Sequence, residues 1–114
     1  MSHLSLLPTV MREVDLLVTA LEALSLHPER GGQVPGFGGE VHPVDVWITL
    51  GDGLAMGWRY QPDGTLSLVA DLQKLSGASA LPRLLASISH CYAAHLALRE
   101  ISTQLEGAVV ELVG

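Results

Sequence analysis

Residues 44–71 leave this chain little choice of architecture. Val44-Asp45-Val46-Trp47-Ile48-Thr49-Leu50 alternates apolar with other residues, and alternation at period two is what a strand with one buried face requires. Two further apolar runs follow at 54–60 and 66–71, set apart by Gly51-Asp52-Gly53 and Pro62-Asp63-Gly64. Glycine, proline and aspartate at those positions suit tight reversals, so the block predicts three antiparallel strands.

The flanking segments read as the other layer. Residues 2–7 alternate weakly and stop at Pro8, which predicts a first strand. From Thr9 the period changes. Val10, Val14, Leu17, Val18, Leu21 and Leu24 recur at three and four residues, a helix with Thr9 as its cap and Pro28 beyond its end. Residues 27–43 hold five glycines and three prolines and predict a loop or a loosely formed hairpin around residues 34–37. Gly36-Phe37-Gly38-Gly39 lacks the strand, helix and Lys-Ser/Thr of a nucleotide cradle.

A second helix is predicted over 80–104, announced by Ser79 and Pro82. Leu81, Leu85, Ile88, Tyr92 and Leu96 form one stripe, with Leu84, Cys91, His95, Leu98 and Leu105 beside it. Glu106-Gly107 then reads as a turn into a β-branched strand at 108–113. The expected fold is a single α+β domain over 1–114: a mainly antiparallel sheet of about five strands with two helices on one face, in the order β-α-β-β-β-α-β. That arrangement is ferredoxin-like.

Charge narrows the possible ligands. Twelve acidic against six basic residues give a formal charge of −6, with no Lys/Arg cluster. A basic footprint for phosphate is missing, so nucleic acid is not an expected partner. No apolar run reaches the ~18 residues of a spanning helix and no signal-peptide pattern opens the chain, so no membrane insertion is expected and a cytoplasmic location is. Only 16% of residues are charged, and a surface poor in charge suits a protein partner or self-association.

Two groups of residues invite a chemical reading. If the even-numbered residues of the central strands face the helices, the opposite face carries Trp47, Gly57, Arg59, Ser67 and Asp71, beside Asp45, Thr49, Ala55 and Val69. A tryptophan, a guanidinium and carboxylates around small residues suit a partner-binding face, against the plainer reading of a solvated sheet surface. Cys91 and His95, four apart, share a helix face and are the weak metal candidates, with His3 or His42 to complete a site. The plainer reading is stronger: both continue an apolar stripe, where cysteine acts as a small hydrophobe. No catalytic residue and no cofactor is expected.

Ser67-Leu68-Val69-Ala70-Asp71-Leu72-Gln73, the opening Met1-Ser2-His3 and Cys91-Tyr92-Ala93-Ala94-His95 resemble a small uncharacterised family of cyanobacteria and algal plastids, the hypothetical chloroplast reading frame thirty-five, a domain of unknown function. His3, Gly57, Gly64, Asp71, Tyr92 and, more loosely, His95 match its pattern. Leu75 stands where an aromatic residue is usual, and the C-terminus is short. The resemblance implies a cyanobacterial cytoplasm or plastid stroma and transfers no catalytic residue. Together these readings point to a small non-catalytic binding or assembly factor of photosynthetic cells, acting through an exposed sheet face or an edge strand.

Overall fold

The computed structural model describes residues 4–35, 41–50, 55–71 and 81–113. Among the described residues, seven strands and two helices follow in order: β1 (Leu4–Pro8), α1 (Val14–Ala23), β2 (Glu29–Arg30), β3 (Gln33–Pro35), β4 (Val41–Pro43), β5 (Val46–Thr49), β6 (Ala55–Tyr60), β7 (Leu66–Asp71) and α2 (Leu81–Val113). Five of the strands make one sheet in the order β1-β7-β6-β5-β2, with every neighbouring pair antiparallel. The turn expected at residues 51–53 lies outside the described residues.

The period-two alternation in β5–β7 decides which side chains meet the helices. Val46, Ile48, Met56, Trp58, Leu66, Leu68 and Ala70 join Met11, Leu16, Leu17, Ala20 and Leu21 of the α1 region and Ile88 and Tyr92 of α2 in one buried cluster. Burying side chains of this size stabilises the fold by roughly 1.5–3 kcal/mol each. All six residues of β7 are buried, because β7 lies between β1 and β6 and both of its faces are covered. At Pro62-Asp63-Gly64, Gly64 adopts φ +86° and donates its N–H to the Gln61 carbonyl at 2.9 Å. The turn is thus closed as its residues require.

Helix α1 starts later than its apolar stripe suggests. Thr9 continues the sheet instead of capping: its N–H and its hydroxyl both donate to the Leu66 carbonyl, and Leu66 N–H donates to Met11 O at 2.8 Å. Val10, counted in the stripe, is 91% exposed. The helix ends with Leu26 N–H on Leu21 O and Ser25 N–H on Glu22 O, both at 3.0 Å, and Ser25 is left-handed at φ +63°. Those two bonds define a Schellman stop, with serine where glycine is usual.

The C-terminal strand expected at 108–113 is helical. Helix α2 runs through Gly107 to Val113. β-branched residues favour strands only where a neighbouring strand receives them, and an isolated glycine costs a helix only about 1 kcal/mol. The fifth sheet strand comes instead from β2, inside the stretch with no usable periodicity. The ferredoxin-like label, which rests on a terminal strand, is not confirmed.

Residues 29–47 form the other departure from a plain sheet. Glu29↔Trp47 and Arg30↔Val46 pair in the main sheet, and Gln33↔Pro43, Val34↔His42 and Pro35↔Val41 pair in a second, two-stranded sheet. The register is the same on both sides. Gly31 at φ +73° and Gly32 at φ +113° bend the ribbon between them, a backbone conformation that only glycine adopts freely. The bend lays β3 and β4 over the sheet face opposite the helices. The hairpin reading of this stretch is thereby met, although of its expected centre at residues 34–37 the last two lie outside the described residues.

Candidate functional site

The five residues expected to form a partner face all belong to the side of the sheet away from the helices. Register places Trp47 opposite Gly57 and Gly57 opposite Val69, Arg59 opposite Ser67, and Asp71 opposite Leu4. They are spread over three successive cross-strand rows, and most of them are not open to solvent. Gly57 is buried, Ser67 is 4% and Asp71 5% exposed, and Trp47 and Arg59 are half-buried.

The cover is the bent ribbon. Val34 and Val44 reach the sheet and form a second small core with Val69, flanked by Leu4, Trp47 and Ala55. Gly57 lies directly beneath. A Cβ there would stand 2.8 Å from Val44 Cγ1, 3.0 Å from Val34 Cγ2 and 3.0 Å from the Val46 carbonyl. Trp47 is held against the bend itself, where a Cβ on Gly32 would come within 2.9 Å of the indole Nε1. The face read as exposed is therefore covered around Gly57 and Val69, while Trp47 and Arg59 keep part of their surface in solvent. Its small residues admit the chain's own ribbon, which periodicity cannot reveal because the ribbon's residues have none.

Two other surfaces are open. The first is β1, an outer strand of the main sheet with β7 as its partner, on which Leu6 is 44% and Leu7 37% exposed. Next to it, two cavities of about 200 and 300 Å³ lie between residues 7–11 and α2, sharing Pro8, Thr9, Met11 and Ser89 in their walls. The remaining lining is mostly apolar, with Leu85, Ile88 and Leu96 among it. The second is the far half of α2. Its first half is gathered into the core through Leu81, Leu84, Leu85, Ile88, Cys91, Tyr92 and Leu96. Leu98, Ile101 and Leu105, spaced by three and four, are then 59%, 49% and 49% exposed. That spacing keeps them on one face of the helix.

Where α1 meets α2, side chains of other elements hold the helix start. The Tyr92 phenol oxygen accepts from the N–H of Arg12 at 3.0 Å and of Glu13 at 3.1 Å, and the Tyr60 oxygen accepts from Val14 N–H at 3.1 Å. Glu13, at the cap position, makes no side-chain cap bond. Its carboxylate instead takes a two-pronged bond from Arg99, at 2.7 and 2.5 Å. That hydrogen bond, reinforced by the guanidinium charge, holds the Glu13 carboxyl below its ordinary value and raises Arg99. Asp63 is lowered in the same direction by its bonds from the Thr65 hydroxyl and N–H. Sequence reading placed Tyr92 in the core stripe and missed its phenol as a cap, since the bond joins residues eighty apart.

Among the described residues, the metal candidates do not assemble. Cys91 and His95 are both half-buried on α2, and Cys91 packs on the main core. His42 sits in β4, opposite Val34 in register, and His3 lies outside the described residues. Among the described residues, no three His, Cys, Asp or Glu side chains stand close enough together to hold a metal ion. No helix among them is long and apolar enough to cross a membrane.

Comparison with known proteins gives one match. No curated protein and no solved structure matches the chain. A family model described as "Protein of unknown function (DUF1257)" matches residues 20–111, from the middle of α1 almost to the end of α2. The match spans the bent ribbon, β5–β7 and the long helix and leaves β1 outside, and the chain belongs to that family, a domain of unknown function.

Proposed function

We propose that this protein is a non-catalytic binding or assembly factor, of the cyanobacterial cytoplasm or plastid stroma, that engages a protein partner or a second copy of itself. One observation carries the reading: the exposed Leu98, Ile101 and Leu105 face on the far half of α2. Apolar residues at three-and-four spacing on a projecting helix are what helix-to-helix docking uses. With its own ribbon over the sheet, the protein meets its partner through this helix instead of through Trp47, Gly57, Arg59, Ser67 and Asp71.

The test compares wild type with a Leu98→Asp/Ile101→Asp double variant, by sedimentation for self-association and by pull-down from soluble extract for a partner. Loss of a complex in the variant, with an unchanged unfolding curve, supports the helix as the docking site. A complex equally strong in both removes it. The edge of β1 is the second reading, favoured by exposed Leu6 and Leu7 beside an open strand edge, which a partner strand could extend. A complex that survives the α2 variant and is lost in Leu6→Lys would select that edge.

A further inference from the structure

The open face of α2 changes in size along its length, and the change suits a second copy of the same helix. At 3.6 residues per turn, Ala94, Leu98, Ile101 and Leu105 fall within about 60° of one another around the axis. All four are exposed. Their spacing of four, three and four is the a/d pattern of a coiled coil. The face is small at Ala94, where the helix leaves the body, and large at Leu105. A second helix turned end for end about a two-fold axis between residues 99 and 100 sets its Leu105 over Ala94 and its Ile101 against Leu98. The axis repeats each contact, as an isologous interface requires, and large side chains meet small ones in the outer layers. A parallel copy would leave a thin layer of Ala94 on Ala94 and bring the two acidic bodies side by side.

Charge selects the same occupant. The chain has a formal charge of −6, so two copies repel over most of their surfaces. Between residues 94 and 105 the charges are Arg99 and Glu100, of opposite sign, and Arg99 is held by Glu13 of its own chain. The positions flanking the face, His95 and Ser102 on one side and Ala97 and Gln104 on the other, hold no Asp, Glu, Lys or Arg. Flanking charges are what tie a helix to a partner of different sequence. Without them shape selects, and this face is complementary to itself. Because the helical backbone continues to Val113, the same register lays residues 87–112 of the two copies side by side. That overlap is about 39 Å at 1.5 Å per residue, between three and four heptads and so of coiled-coil length.

We propose that two copies of this chain dimerise through α2 as an antiparallel helix pair, with Leu98 against Ile101 of the second copy and Ala94 against its Leu105. This rests on the reading of the Leu98, Ile101 and Leu105 face as the docking site, and it names the occupant. The two acidic bodies stand at opposite ends of the pair.

Two measurements on the full chain test this. Sedimentation equilibrium should give twice the chain mass for wild type below ~100 μM and the single mass for Leu98→Asp/Ile101→Asp. Disulfide trapping then reads the register. In a Cys91→Ser background, Ala94→Cys and Leu105→Cys proteins are mixed in a glutathione buffer, both changes lying at exposed positions outside the core. Only side chains a few ångströms apart can join, so the mixed disulfide should exceed either like pair at least ~10-fold. A dimer that traps like pairs instead overturns the antiparallel arrangement and keeps the helix as docking site. Wild type that stays monomeric to ~100 μM overturns the second copy as occupant, and a different protein captured by wild type and lost in Leu98→Asp/Ile101→Asp would still uphold the face. A dimer untouched by that double variant overturns both.

Discussion

Gly57 shows how much a single residue settles here. On sequence it is a small residue in the floor of a face; in the structure it is the point where two valines of the ribbon touch strand backbone. Adding one methyl group places it inside contact distance of Val44, Val34 and the Val46 carbonyl, of which the carbonyl has no freedom to move. Gly57→Ala is therefore expected to destabilise by roughly 1–3 kcal/mol, the usual cost of overpacking, read as a lower urea midpoint. Tyr92 carries a comparable weight for a different reason. Its ring fills the core and its oxygen serves two helix-start donors. Tyr92→Phe keeps the ring and strands the donors, with an expected loss of about 1–3 kcal/mol. An unchanged unfolding curve would show that water replaces the phenol at no cost. Neither role is visible in composition or spacing, because each depends on which distant backbone arrives at that atom.

The elements were legible to different degrees. Strands β5, β6 and β7 declare themselves, since alternation, turn residues and burial agree. Helix α1 is legible in its apolar face and misread at its start, where Thr9 is drawn into the sheet by Leu66 and the helix is capped by tyrosines from elsewhere. Its start is also where pH acts. Glu13 has its carboxyl lowered from an ordinary value of 4.5 by the Arg99 bond, so the stability that this bond contributes is complete above the unfolded value and is lost as pH falls through the folded one. Arg99→Met should thus lower the unfolding midpoint at pH 7 and converge on wild type once the carboxyl is protonated in both. A difference that persists unchanged at low pH would place the effect of Arg99 in packing alone. Both side chains of the pair are about half open to solvent, and the effect at neutral pH should fade in high salt.

At the scale of the whole molecule, α2 sets the shape. Thirty-three helical residues span about 50 Å at 1.5 Å each, and the molecule measures 65 × 30 × 20 Å with a radius of gyration of 16.7 Å. A compact chain of this length would give about 13 Å. Small-angle scattering from the monomer should return a value near the larger figure, and one near the smaller would mean that the far half of α2 folds back. If the helix projects, Leu98→Asp with Ile101→Asp should change stability by no more than about 0.5 kcal/mol, since exposed positions contribute little to folding, while removing any complex built on that face. By itself the sequence determined the α+β class, the three central strands and the side of the sheet that takes the helices, because each follows from local periodicity and turn chemistry. It also placed Trp47, Gly57, Arg59, Ser67 and Asp71 on one common face. Only the tertiary structure decided that a bent ribbon covers that face, that residues 108–113 continue a helix instead of pairing as a strand, and that tyrosines cap α1. Those outcomes depend on contacts between segments far apart in the chain, and short-range patterns carry no record of which distant segment will come to lie alongside.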